Sequence, residues 1–219
     1  MDYQLLLLLH LLLAGYWLGG DLGVFHIAGR IADPAQPLPV RLFSARTMLL
    51  LDMIPRSCLI LAVGTGATLA TRLGLLPLQG WLWLAWAATI GWMGLAWFAF
   101  LKEHSPAGPA IARIDFNLRL LVFALCLGAG IDALTPGGYL DAGWLGAKLV
   151  LFAGIISMGL LVRVQLRPFG PLFGAVAGGR ATETDERALQ RLIARVKIPV
   201  LTIWLLILVI SALGKLKPF

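Results

Sequence analysis

Charged residues are scarce in this chain, and their scarcity restricts the fold class. Of 219 residues only 13% are charged, whereas 59% are hydrophobic. A soluble domain needs a polar surface, so this composition excludes ordinary soluble folds and is typical of integral membrane proteins. The two cysteines, Cys58 and Cys126, are too few for a disulfide framework or a C-x-x-C metal site. We expect both to be small packing residues inside the membrane.

Motifs of soluble enzymes are also lacking. The sequence contains no Walker loop, no G-x-G-x-x-G after a strand, no H-E-x-x-H and no nucleophile elbow. Function must therefore be sought among polar residues within the apolar stretches.

Six of those apolar stretches are long enough to cross a bilayer, whose core of about 30 Å needs about 20 helical residues. The sequence therefore predicts an all-α, polytopic bundle with six transmembrane helices in one integral membrane domain. The predicted spans are residues 3–28, 47–71, 81–101, 116–134, 142–162 and 196–213. Proline and glycine predict a loop over residues 168–179. Apolar residues at helical spacing predict an amphipathic cytoplasmic helix over residues 182–197, leading into the last span.

The net charge of +7 comes mainly from basic residues in the connections between the spans. Most lysines and arginines lie in or beside the first, third and fifth connections, whereas the other side holds only Arg72, Lys215 and Lys217. Basic connections stay in the cytoplasm, so both termini are expected in the periplasm of a bacterial inner membrane. The basic excess indicates topology and contact with anionic membrane lipids, and no nucleic-acid partner is expected.

The first helix has two distinct faces. At 100° per residue, Trp17 and Asp21 share one stripe with His10. His26 lies on the other side, about 24 Å along the axis from His10, so one bound group cannot be clamped by both histidines. That other side also carries a small-xxx-small series where neighbouring helices are expected to approach closely. The series consists of Gly15, Gly19 and Gly23.

Ionisable residues in hydrocarbon need a partner, water or a function. In the predicted cytoplasmic half, Asp52 and Arg56 are four residues apart and can form an ion pair, and Pro55 between them is expected to kink the helix. Alternatively, Arg56 clamps an anion or a porphyrin propionate, with His26 and Met53 at similar depth. Both interpretations remain open at this point.

In the predicted outer half, His10 and Lys148 lie at similar depth. Asp132 could neutralise Lys148, and His10 could be a core histidine hydrogen-bonded to a neighbour. Axial haem ligation is the functional alternative, because neutral imidazole is a good iron ligand and an apolar wall suits the macrocycle.

Three ordered motifs resemble the HemJ-type protoporphyrinogen oxidase family and the wider superfamily that includes the CopD copper-resistance membrane proteins. They are HLLLAGYWLGG from His10, GWLGAKLVL around Trp144 and Lys148, and the closing IPVLTIWLLILVISALGKLKPF. The resemblance implies that His10 is the haem ligand of the first helix and Lys148 the intramembrane lysine of the family. His26 takes the place of the family's first-helix arginine, and Gly146 replaces a histidine two residues before the lysine.

The leading hypothesis is therefore a haem b protein with a redox function, either electron transfer or porphyrinogen oxidation that passes electrons to quinone. His10 would be one axial ligand of the haem iron, and Lys148 either the second ligand or a neighbour of a porphyrin carboxylate. Trp17, Arg56 and His26 are the further candidate cofactor-binding residues. The alternatives are copper handling of the CopD type and a cofactor-free subunit of a homo-oligomer or a larger membrane complex. Scattered methionines argue against copper(I).

Overall fold

A computed structural model describes residues 2–103, 105–140 and 142–216 as helices joined by short connections. The predicted all-α fold is confirmed for these residues. Eight helices are present: α1 (Tyr3–Ala32), α2 (Leu38–Leu51), α3 (Met53–Arg72), α4 (Leu82–Leu101), α5 (Gly108–Leu134), α6 (Gly143–Gln165), α7 (Phe169–Ala177) and α8 (Glu183–Leu216).

Six helical segments are long and apolar enough to cross a membrane. They are α1, α4, α5, α6, α8 and the combined segment Leu38–Arg72 formed by α2 and α3. The predicted number of spans is thereby confirmed, and the chain is a multi-pass membrane protein. Many large apolar side chains on the outside of the bundle, including those of Leu8, Leu11 and Tyr16 on α1, suit contact with lipid.

The structure refines the ends of several helices. Helix α5 begins at Gly108, eight residues before the predicted span, and α8 is one continuous helix that joins the amphipathic segment to the last span. The predicted kink near Pro55 is an interruption at Asp52, between α2 and α3. Proline has no N–H to donate to the carbonyl of Leu51, so the helical hydrogen-bond pattern breaks there.

The loop predicted over residues 168–179 is wrong for most of its length, because Phe169–Ala177 forms α7. Its aromatic side chains Phe169 and Phe173 stack with their ring centroids 5.5 Å apart. They pack beside buried Leu189 and Ile193 of α8. Burial of this apolar face outweighs the weak helix propensity of its glycines.

The spanning helices form a closed ring in which each contacts its two neighbours, in the order α1, α3, α4, α5, α6, α8 and back to α1. Large buried side chains fill the middle of the ring, among them Trp17, Ile60, Trp92, Ile155 and Ile203. We call the end with the α1–α2, α4–α5 and α6–α8 connections the basic end. The other end, where α1 begins and α8 finishes, is the terminal end.

Two of the three glycines in the predicted small-residue series on α1 make no close contact with another helix of the described chain. A Cβ placed on Gly15 or Gly19 would meet nothing within 4 Å, so no helix of this chain approaches closely there. The third glycine of the series, Gly23, does lie close to a neighbour, because an added Cβ would be 3.2 Å from Leu51 Cδ1. A closer approach is at Gly20, where an added Cβ would lie 3.0 Å from Pro55 Cδ and 3.1 Å from Ile54 Cβ. The predicted small-residue contact is therefore wrong at Gly15 and Gly19, because α3 packs on a different side of α1.

A buried arginine joins three helices at the basic end. Arg41 of α2 donates to the carbonyl of Ile31 at the end of α1, over 2.9 Å. Its two terminal nitrogens donate to both carboxylate oxygens of Glu186 in α8, at 2.8 and 2.7 Å. This bidentate pair fixes the amphipathic start of α8 against α1 and α2.

Candidate functional site

His10 lies in the terminal half of the ring and faces α3. Its Nδ1 is 2.7 Å from the hydroxyl oxygen of Thr65. A Cβ placed on Gly66 would lie 3.5 Å from the His10 ring at Cε1. The imidazole is therefore half-buried in the groove between α1 and α3, where a glycine leaves room for the ring.

The threonine also determines where the imidazole proton lies. The Thr65 hydroxyl is 2.8 Å from the carbonyl oxygen of Leu61, one helical turn earlier, and donates its single proton to it. Toward His10 the same oxygen can then only accept, so Nδ1 carries the proton. Nε2 consequently has a lone pair, and within the described parts of the chain no residue donates to it.

Lys148 lies across the ring on α6, in the same half of the bundle. Its ammonium lies 5.9 Å from the centre of the Trp144 ring. It also packs against α8, because a Cβ placed on Gly214 would lie 2.8 Å from Lys148 Nζ. The charge of Lys148 acts electrostatically on the His10 imidazole. The two residues pack against different helices, His10 against α3 and Lys148 against α8.

Two residues near Lys148 have structural roles. The Asp132 carboxylate accepts a hydrogen bond of 3.1 Å from the backbone N–H of Leu140, which holds the α5–α6 connection. Gly146 faces α5, where an added Cβ would lie 2.8 Å from Ala133 Cβ and 2.9 Å from the carbonyl oxygen of Gly130. A histidine could not be accommodated at this contact, which explains the glycine there in physical terms.

Trp17 lies deeper in the bundle and belongs to its apolar core. Its indole interacts with Asp21, whose carboxylate also accepts a hydrogen bond of 3.3 Å from the indole N–H of Trp204 in α8. The predicted stripe of His10, Trp17 and Asp21 therefore faces the inside of the ring. Asp21 acts there as the acceptor that ties α1 to α8.

Arg56 and His26 lie well away from His10. Arg56 forms the predicted ion pair with Asp52 and lies ten residues from Gly66, which is about 15 Å along α3. His26 is exposed on the outer side of α1, nearer the basic end. The structure thus places His10 and Lys148 in the terminal half of the bundle, Trp17 in its core, and Arg56 and His26 towards the basic end.

A second polar cluster, which the sequence pattern does not predict, lies between the core and the basic end. Asp115 of α5 is fully buried, with none of its surface exposed. Its carboxylate accepts hydrogen bonds from Trp92 Nε1 of α4 at 3.1 Å and from Arg119 Nε at 3.0 Å. Arg163 of α6 forms an ion pair with it at 2.7 Å. One carboxylate therefore joins three helices.

The spacing of two charged residues in the sequence indicates part of this cluster. Asp115 and Arg119 are four residues apart, the same spacing as Asp52 and Arg56. Because the fourth span was predicted to begin at residue 116, Asp115 fell outside it, and Arg119 and Arg163 were attributed to the basic connections. Extending the helix to Gly108 brings the pair into the bundle. The contact with Arg163 depends on how α5 packs against α6.

Among the described residues, no three histidines, cysteines or acidic residues cluster closely enough to hold a metal ion. Comparisons of the chain with protein-family models, with curated proteins and with solved structures found no match.

Proposed function

We propose that this chain is a haem b protein of the bacterial inner membrane, with its basic end in the cytoplasm and His10 as an axial ligand. The observation that carries the proposal is the hydrogen bond from His10 Nδ1 to Thr65. Histidines that bind metals generally donate their other ring N–H to a fixed acceptor, which sets the tautomer and the ring orientation. The Thr65 hydroxyl, itself fixed by the Leu61 carbonyl, is such an acceptor.

The single imidazole nitrogen that His10 offers suits haem iron better than a bare metal ion. Haem iron is held by four porphyrin nitrogens and needs only one or two protein ligands. His10 Nε2 offers one neutral nitrogen in a largely apolar setting. A bare copper ion in the membrane would require a cluster of several ligands, and the described residues do not provide one.

Lys148 is the second residue of the proposed site. Its ammonium can hold a porphyrin carboxylate through a charge-assisted hydrogen bond, or, as a neutral amine, serve as the second axial ligand. Bound haem supplies one-electron chemistry. We therefore propose a redox role, either electron transfer or oxidation of a porphyrinogen with quinone as the acceptor. The choice between these reactions rests on the resemblance of the sequence to the HemJ-type family.

The test uses the full-length protein, produced in cells supplied with a haem precursor and purified in detergent. We expect a Soret band, a reduced-minus-oxidised difference spectrum typical of haem b, and haem in the pyridine haemochrome assay. His10→Ala should lose the haem, whereas His26→Ala should retain it. The second variant is a matched control, because it removes an exposed histidine from the same helix. A wild-type protein without haem, or equal loss in both variants, would refute the proposal.

A further variant distinguishes the two roles of Lys148. Replacing the lysine with leucine removes its charge and leaves no side-chain atom that can bind iron. If Lys148 is an axial ligand, Lys148→Leu should change the ligation and spin state visible in the absorption spectrum. If it holds a carboxylate, the spectrum should stay the same while the affinity for haem falls.

A further inference from the structure

The basic end contains a cavity of about 530 Å³ between α3, α4, α5 and α6. Four arginines and two acidic residues line it, together with apolar side chains that include Phe100 and Phe116. The charged lining residues are Arg56, Arg113, Arg163, Arg167, Glu103 and Asp115. The cavity is thus amphiphilic, with a marked excess of positive charge.

The four arginines that line the cavity differ in whether they form an ion pair. Arg56 is paired with Asp52, and Arg163 is paired with Asp115. Arg113 and Arg167 are exposed, and neither forms an ion pair with any residue in the described part of the chain. Asp115 is already shared between Arg119 and Arg163, so Glu103 is the one acidic lining residue left opposite the two positive charges of Arg113 and Arg167.

These two arginines also lie near the ends of two of the helices that line the cavity. Arg113 lies in the second turn of α5, and Arg167 lies just beyond the end of α6. Both therefore lie at the basic ends of their helices, in a cavity whose lining combines apolar and charged side chains. Paired guanidinium groups on separate elements suit an anion with several oxygens, because each planar group can donate two hydrogen bonds.

We propose that this cavity binds a phosphate-bearing anion, with Arg113 and Arg167 as its principal ligands. Phosphate presents more acceptor oxygens than a carboxylate and can engage both residues at once. The anion is either the headgroup of an anionic phospholipid, whose acyl chains would lie against the apolar lining residues, or a soluble phosphate. This site is about 15 Å from the depth of His10 along α3 and does not depend on haem.

The experiment compares two double variants of the detergent-purified, full-length protein. Arg113→Gln with Arg167→Gln removes the two proposed ligands. Arg180→Gln with Arg195→Gln is the matched control, because it removes the same charge from exposed arginines outside the cavity. Inorganic phosphate is titrated calorimetrically in one arm. In the other, native mass spectrometry measures retention of phosphatidylglycerol, with phosphatidylcholine as the neutral lipid.

We expect the cavity variant to bind about tenfold more weakly or worse than the wild type, and the control to stay within about twofold. An effect with phosphatidylglycerol alone identifies a lipid headgroup, and an effect with inorganic phosphate alone identifies a soluble anion. Equal binding by both double variants, or no binding of either probe by the wild type, overturns the proposal. If the double variant fails to fold, the two single variants are compared with Arg195→Gln in the same way.

Discussion

The two halves of the bundle are held together by different kinds of contact. In the terminal half, backbones approach closely at small residues: Gly146 lies against Gly130, and a Cβ on Gly64 would lie 2.8 Å from Thr89 Oγ1. In the basic half, charged side chains join the helices, as Asp115 does for α4, α5 and α6. The terminal half also contains the His10 imidazole, whose Nδ1 is hydrogen-bonded to Thr65 of α3.

The comparison shows how to separate structural polar groups from functional ones. A buried charge that is neutralised and hydrogen-bonded by the protein has a structural role, because breaking such a pair leaves an uncompensated charge. Asp115 and Arg41 are of this kind. Within the described part of the chain, His10 Nε2 accepts no hydrogen bond, and Arg113 and Arg167 form no ion pair.

Asp115→Asn should have the largest effect on stability. The change leaves the buried guanidinium group of Arg119 and the partly exposed one of Arg163 without a carboxylate, and we expect a loss of about 3–5 kcal/mol in the free energy of unfolding. Asp52→Asn is the control, because it breaks a pair of the same spacing that is about a third exposed. That loss should be about 1 kcal/mol or less. The free energies of unfolding are measured by reversible denaturation. Equal losses in the two variants would contradict the larger contribution expected of the buried pair.

Arg41→Gln tests the second buried charge of the basic half. It removes a bidentate contact with Glu186 and leaves the carbonyl of Ile31 without its donor. We expect a loss of about 2–4 kcal/mol, with faster amide hydrogen exchange at the start of α8. Arg187→Gln breaks an exposed pair on the same helix and should stay within about 0.5 kcal/mol. Unchanged exchange in Arg41→Gln would show that the contact does not hold α8.

Gly146→Ala tests the close packing of the terminal half. The new methyl group would overlap Ala133 and the backbone of Gly130, so α5 and α6 must separate. We expect a loss of about 1–3 kcal/mol. Gly159→Ala on the same helix meets nothing within 4 Å and should be neutral or stabilising by up to about 1 kcal/mol. The thermal unfolding midpoints of the two variants measure the difference, and equal midpoints would argue against tight packing here.

Thr65→Val should change ligand binding more than folding. The substitution keeps the shape of the side chain but removes the acceptor that orients His10. We expect about a 10- to 100-fold loss of haem affinity, measured by transfer of haem to an acceptor protein, with only a small change in stability. Thr65→Ser keeps the hydroxyl and should behave like the wild type. Equal haem affinity in the valine and serine variants would remove the support for the proposed tautomer.

Local features of the site could be predicted from the sequence, whereas contacts between distant residues could not. The Asp52–Arg56 pair was predicted from a spacing of four residues, which places two side chains on one helix face. The partner of His10 is 55 residues away on another helix, and no spacing rule identifies it. Helix α7 was missed because its stability comes from packing on α8, which outweighs its proline and glycine content.

By itself, the sequence determined the class of this protein, its six spans and the residues able to carry chemistry. Crossing a bilayer depends on the apolar character of about 20 consecutive residues, a property that each segment has before any helix meets another. Only the tertiary structure decided which polar groups form hydrogen bonds and ion pairs with one another. That outcome depends on the rotation and depth of each helix relative to its neighbours, as the contacts of His10 with Thr65 and of Asp115 with Arg163 show.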